Sequence, residues 1–192
     1  MIYVIRHGQT ELNSAHALQG RSDHPLNATG VEQARETGRR LAERGVVFAH
    51  VCSSPLQRAV RTAELVAPGV PVATDERLIE MDYGPYEGTD LRHPAPEIIT
   101  FFSDFVHNPA PEGMEQLAQV VSRTGQFVEE VKGLAEEEDV LVSTHAIAMK
   151  GILEYLTPDS GGFFWSKNIG NCAVYTADVC DGRIGVPREL VL

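Results

Sequence analysis

The sequence predicts an α/β fold, a three-layer α/β/α sandwich around a mostly parallel central sheet with a small helical cap inserted. Three observations lead there. Ile2-Tyr3-Val4-Ile5, Val46 to Cys52 and Val140-Leu141-Val142 are short apolar runs with little polar alternation, as strands buried on both faces of a parallel sheet require. Between them lie longer segments with helical spacing, so strand and helix alternate along the chain. A stretch from Arg92 to Glu112, bracketed by Pro94, Pro96, Pro109 and Pro111 around Phe101, Phe102 and Phe105, interrupts the alternation and reads as the cap.

Taken in order, the first strand stops abruptly at Arg6-His7-Gly8-Gln9-Thr10. Residues Glu11 to Leu26 are too rich in breakers to be helical throughout and predict a long polar loop. Asn27 caps a helix through Val31, Ala34, Leu41 and Ala42 that stops near Gly45. The second strand ends in Ser53-Ser54-Pro55, where serine as cap and proline at the first helical position start a helix from Pro55 to about Ala67, with Arg58 in its first turn. Val70 to Ala73 predicts a short third strand, and Arg77 to Gly88 an ordered loop. Glu115 to Ala135 has helical period and ends in the acidic run Glu136 to Asp139, read as a solvated connection. After the strand at Val140 comes His145 and a helix from Ala146 to Leu156. Cys172 to Tyr175 and Glu189 to Leu192 predict two closing strands joined near Asp181-Gly182. The whole chain, 1–192, is expected to be one domain with the cap insertion at about 85–115.

Composition limits the function classes. With 192 residues, 43% of them hydrophobic, one well-buried core is expected. A formal net charge of −11 opposes a surface that grips nucleic acid or anionic membrane, so an anionic substrate must be met by a local cluster of cations. Cys52, Cys172 and Cys180 lack metal-ligand spacing and are expected to be reduced, buried thiols. No basic-then-apolar leader and no membrane-length apolar run is present, which predicts a cytoplasmic protein.

The functional expectation rests on convergence. Three apparent core strands end at Arg6-His7, at the helix start carrying Arg58, and at His145. Neighbouring strands of such a fold share one crevice at their carboxyl ends, where helix N-termini offer free N–H groups. Two guanidiniums, two imidazoles and a helix N-terminus around one point describe a site for a dianionic phosphoryl group. The bland readings are a structural histidine at 7, an exposed helix arginine at 58 and a helix cap at 145; the flanking pattern promotes His7, and only the shared strand-end placement promotes Arg58 and His145.

The same residues carry a family resemblance. Arg6-His7-Gly8-Gln9-Thr10 with Asn13, Gln19-Gly20, Asp23-x-Pro25-Leu26, Gly30-x-x-Gln33-Ala34, Ser53-Ser54-Pro55-Leu56-Gln57-Arg58-Ala59, Leu78-x-Glu80-x-x-x-Gly84-x-x-Glu87-Gly88 and His145 resemble, in order, the histidine phosphatase superfamily, which includes the cofactor-dependent phosphoglycerate mutases. Two places depart from a common pattern of that family: Gly113-Met114-Glu115 ahead of the long helix, and Ala146 after the second histidine.

The resemblance implies that His7 is the nucleophile, becoming a phosphohistidine, and that Arg6, Arg58 and His145 hold the equatorial oxygens. It implies pocket roles for Thr10, Asn13, Gln19 and Gly20, and a general acid at Glu80, with Asp82 as the competing carboxyl. No metal and no other cofactor is expected. The partner is a small phosphorylated metabolite; nucleotide-loop precursors such as α-ribazole phosphate, sugar phosphates and phosphoamino acids are candidates. Three functions remain: a phosphomonoesterase, a mutase primed by bisphosphoglycerate, and a non-catalytic phosphate-binding protein. The chain is short for the mutases' water-excluding lid, and a mere binder has no use for an acid facing a leaving group.

Overall fold

The computed structural model describes all 192 residues. The first strand, β1 (Ile2–Arg6), is followed by a one-turn helix, α1 (Glu11–Ser14), and by α2 (Ala28–Glu43). Next come β2 (Phe48–Ser53), α3 (Gln57–Val66) and β3 (Val72–Thr74). The cap region contributes α4 (Pro96–Ser103), and the long α5 (Leu117–Glu137) leads to β4 (Asp139–Thr144) and α6 (Ala146–Leu156). The chain closes with β5 (Val174–Ala177), a hairpin of β6 (Val179–Cys180) and β7 (Arg183–Ile184), and β8 (Arg188–Leu190).

Six strands form one sheet in the order β3-β2-β4-β1-β5-β8. β1, β2, β3 and β4 pair in parallel, and β5 turns antiparallel against both β1 and β8. The sheet is therefore mixed and mostly parallel, as expected. Alternation along β1 explains its unbroken apolar run. Ile2 and Val4 face a core built with Phe127, Val128 and Val131 of α5 and Met149, Ile152 and Leu153 of α6. Tyr3 and Ile5 face the opposite core, built with Ala34 and Leu41 of α2 and Ala63 and Val66 of α3. Both strand faces are buried under helices, which gives the three layers.

Register brings the chemistry to one edge. Arg6 pairs with Thr144 and Ser53 pairs with Ser143, so β1, β4 and β2 end side by side. A third core sits beyond that edge, where Ile98 and Phe101 of α4 pack with Leu18, Met81, Tyr83, Ile147 and Trp165. The aromatic stretch thus covers the carboxyl ends of the strands.

Several sequence expectations need correction. β2 begins at Phe48, because Val46 and Val47 are still outside the sheet and Val47 is 78% exposed. β3 is shifted to Val72–Thr74 by its pairing with Val51, Cys52 and Ser53. Asp181-Gly182 turns the separate β6–β7 hairpin and does not join the closing strands directly. α5 runs on through Glu136 and Glu137, so the acidic run is half helix; its Glu136 accepts from the Gly182 N–H and its Glu138 meets His50. Cys52 and Cys172 are half-buried, but Cys180 on the hairpin is exposed, so the three thiols do not share one environment. No helix is long and apolar enough to cross a membrane.

Candidate active site

Where β1 ends, the chain must turn against the first turn of α2. A Cβ on Gly8 would stand 2.4 Å from the Gly30 carbonyl oxygen, and one on Gly30 would stand 2.1 Å from the Gln9 carbonyl oxygen. Only two glycines allow that approach, and any larger residue forces a backbone shift costing on the order of 1–3 kcal/mol. Gln33 of α2 fastens the same turn by accepting from the Gln9 N–H at 2.9 Å, and Thr62 of α3 accepts from the Gly8 N–H at 3.0 Å.

His7 is fixed by this turn. Its backbone N–H donates to the Thr144 carbonyl at 2.9 Å, and its Nδ1–H donates to the Gly8 carbonyl at 2.7 Å. A carbonyl can only accept, so the proton sits on Nδ1 and Nε2 carries the free lone pair. Burial, reinforced by the Arg6 and Arg58 charges, holds its proton affinity well below the ordinary histidine value. The ring is neutral at pH 7 and only 3% of the residue is exposed.

Beneath it lies His145, its ring centroid 5.1 Å from that of His7. Arg58 Nε donates to His145 Nδ1 at 3.2 Å, which places the ring proton on Nε2, and that N–H donates to Ser54 Oγ at 2.7 Å. Burial first, then the Arg58 charge, keeps this imidazole neutral as well. Arg58 itself is fully buried and donates to the carbonyls of Ser22 at 2.7 Å and Gly20 at 2.6 Å. Glu87 holds that 20–22 turn in place by accepting from the Gly20 N–H at 2.9 Å and from the Ser22 hydroxyl. Each terminal nitrogen of Arg58 keeps one further N–H beyond those carbonyls.

Ser54 does not play the part its local sequence predicts. The expected serine cap with proline at the first helical position does not form: α3 starts at Gln57 behind Leu56, and the Ser54 hydroxyl accepts instead from the Leu56 N–H at 3.3 Å and from His145. Arg58 nevertheless stays in the first turn of α3.

Around the neighbouring cavity, of about 270 Å³, stand Arg6, His7, Asn13, Gln19, Glu80, Tyr83, Phe102, Phe105, Lys150 and Lys167, with other residues. Arg6, Lys150 and Lys167 bring three cations against the single carboxylate of Glu80, a local reversal of the chain's overall sign. Arg58 and His145 are not on this wall; they form the floor behind His7, and Thr10 and Gly20 are not on the wall either. Gln19 Oε1 accepts from the Thr10 hydroxyl at 2.7 Å and from Asn13 Nδ2 at 3.3 Å. Two buried donors, Arg6 Nε and Gln19 Nε2, have no protein partner. An unpaired buried donor costs about 1–3 kcal/mol, so both favour an entering acceptor such as a phosphoryl oxygen.

Glu80 reaches the cavity from the loop after β3. Its carboxylate accepts from the N–H groups of Met81 at 2.9 Å, Ala148 at 3.0 Å and Ile147 at 3.2 Å, the last two at the start of α6. Arg123 and Glu115 brace this loop: Arg123 pairs with Glu115 at 2.7 Å and donates to the Ile79 carbonyl at 2.6 Å, while Glu115 accepts from the Asp82 N–H at 3.1 Å. Asp82 turns away, accepting from the Gly84 N–H and facing Arg21 at 3.5 Å. Asn171, which carried no sequence signal, donates to the His7 carbonyl at 3.0 Å and to Asn13 Oδ1 at 3.1 Å. No cluster of three or more His, Cys, Asp or Glu side chains is arranged to hold a metal ion.

The model of the histidine phosphatase superfamily (branch 1) matches residues 2–188. A probable phosphoglycerate mutase GpmB from Serratia proteamaculans is 34% identical over 154 residues, 77% of this chain and 70% of that protein. Its namesake from Escherichia coli O1:K1 is 32% identical over 186 residues, 92% of this chain and 84% of that protein. Among solved structures, YhfR of Bacillus stearothermophilus has a TM-score of 0.81 at 28% identity, covering 96% of this chain and 94% of that one. The phosphoserine phosphatase of Entamoeba histolytica, solved with 3-phosphoglyceric acid, has a TM-score of 0.83 over 99% of this chain and 94% of its own, and at 23% identity supports the fold alone.

Proposed function

The chain belongs to the histidine phosphatase superfamily, and from that premise we propose that it is a metal-independent phosphomonoesterase that hydrolyses a small-molecule phosphate ester through a phosphohistidine at His7. The observation that carries the reading is the state of His7: neutral, its Nδ1–H spent on the Gly8 carbonyl, its Nε2 lone pair unspent at the wall of a cation-rich cavity. Such a ring nitrogen is an in-line nucleophile without needing a base to deprotonate it.

In this mechanism Nε2 of His7 forms the bond to phosphorus as the bond to the ester oxygen breaks. Arg6, through its unpartnered Nε, and Gln19 and Asn13 meet the oxygens from the cavity side. Arg58, through its two remaining N–H groups, and His145, by passing its Nε2–H from Ser54 to an oxygen, meet them from the floor. Those donors are already oriented, which is the main source of stabilisation in phosphoryl transfer. Glu80, entering as the carboxylic acid, gives its proton to the departing alkoxide and, then a carboxylate, takes one from the water that attacks phosphorus as the bond to His7 Nε2 breaks, which releases inorganic phosphate and restores both groups. The negative charge is met by guanidiniums and imidazole throughout, so no step calls on a metal.

The mutase names of the relatives support a second reading, transfer of the phosphoryl group back to the organic product. One assay separates the two. Release of inorganic phosphate from p-nitrophenyl phosphate that persists in chelator and is lost in His7→Ala is expected. Interconversion of 2- and 3-phosphoglycerate without net release would favour the mutase, and hydrolysis retained in His7→Ala would contradict both.

A further inference from the structure

Lys150 takes no part in the chemistry above, yet it is one of the most unusual side chains in the molecule. It lies inside α6 and is only 8% exposed. Its ammonium donates to the Trp165 carbonyl at 2.8 Å and stands 5.0 Å from the centre of the Phe105 ring, leaving two N–H donors unassigned. A buried cation is normally paired, and two carboxylates are near enough to act on it. Both are already committed. Glu154, one turn further along α6, accepts from the N–H groups of Phe164 at 2.6 Å and Trp165 at 3.1 Å and from the Ser160 hydroxyl at 3.0 Å. Glu80 is held by the three N–H groups of Met81, Ile147 and Ala148. Burial accordingly pushes the lysine down to about 8 despite both carboxylates.

The unpaired ammonium faces a space that extends beyond the phosphoryl site. Lys150, Phe102, Phe105, Lys167 and Asn168 line the His7 cavity and also a second cavity of about 490 Å³, so the two share a wall. The ammonium of Lys167, 4.4 Å from the Phe163 ring centre, has no carboxylate partner either. We propose that Lys150, with Lys167 and Asn168, forms a second anion subsite, which takes a carboxylate or a second phosphate carried by the alcohol part of the ester bound at His7. The substrate is then a phosphate monoester with two anionic ends, its middle lying against Phe102 and Phe105. This rests on the His7 cavity being the phosphoryl site. It also accounts for three cations in a protein of net charge −11: Arg6 serves one end of the ligand and the lysines the other.

Non-hydrolysable ligands test this with the intact protein and independently of turnover. Alkylphosphonates of increasing chain length are titrated calorimetrically beside their ω-carboxy and ω-phosphono counterparts. At the best length one charged series should bind at least about tenfold tighter, the effect of one charge-assisted pair, and which series gains identifies the second anion. That ratio should fall towards one in Lys150→Met, fall in part in Lys167→Met, and be kept in Lys150→Arg. A ratio near one at every length in the unmutated protein overturns the subsite, as does a ratio unmoved in a folded Lys150→Met. So does equal loss of charged and uncharged ligands, which would make Lys150 structural. If Lys150→Met does not fold, the unmutated ratio and Lys167→Met decide. Charge discrimination without phosphate release from any ester would keep the subsite and remove the hydrolase reading; release with no discrimination would do the reverse.

Discussion

His7 and His145 are neutral because the fold withholds water from them while placing two guanidiniums beside them. That has a measurable consequence for stability. In the unfolded chain each imidazole regains a proton affinity near 6.5, so between that value and the depressed folded one the unfolded state binds more protons. Stability is complete above about pH 6.5 and is lost as the pH falls through it, by up to about 1.4 kcal/mol per pH unit for each ring. The urea-unfolding free energy should therefore drop on going from about pH 7.5 to about pH 5.5. A flat or rising profile would mean that neither ring is held neutral in the folded protein, and a protonated His7 could not be the nucleophile.

Among the elements, α6 does the most for the site, since its start holds both His145 and the Glu80 carboxylate. Its N-terminal N–H groups at Ile147 and Ala148 fix the carboxylate at the cavity wall, whereas Asp82 is drawn outward by the Gly84 N–H and Arg21. Glu80→Gln should slow alkyl phosphates by about 10²–10⁴ while sparing aryl phosphates, whose leaving group needs little help. Equal losses on both ester types would take the acid role from Glu80. Glutamine also turns an amide N–H₂ towards backbone donors, so a stability loss of about 1–3 kcal/mol, read by denaturant unfolding, should accompany the change. Element ends were legible where one local signal decided them: Asn27 caps α2 by accepting from the Gly30 N–H at 2.8 Å, as its sequence context implied. Ser54-Pro55 shows the limit. The local pattern matched a helix start, but the hydroxyl is taken by His145, the residue between β4 and α6, a partner no window around Ser54 contains.

Over the whole molecule, buried strand runs and alternating helices made the layered fold readable, because both signals are periodic and local. Convergence at the strand ends also followed, since parallel register aligns Arg6 with Thr144 and Ser143 with Ser53. What stayed hidden depends on long-range burial. Lys150 reads as an ordinary helix lysine until Trp165 and Phe105 close over it, and Asn171 has no motif until β1 lies alongside. The account stands on these distant segments assembling one phosphoryl-transfer site around His7. Rapid quenching of the protein with a radiolabelled phosphate ester, followed by peptide mapping, tests it most directly. An alkali-stable, acid-labile label on the peptide containing His7, absent in His7→Ala, is the predicted result; turnover of the ester with no label on that peptide, or label on a different residue, would contradict it.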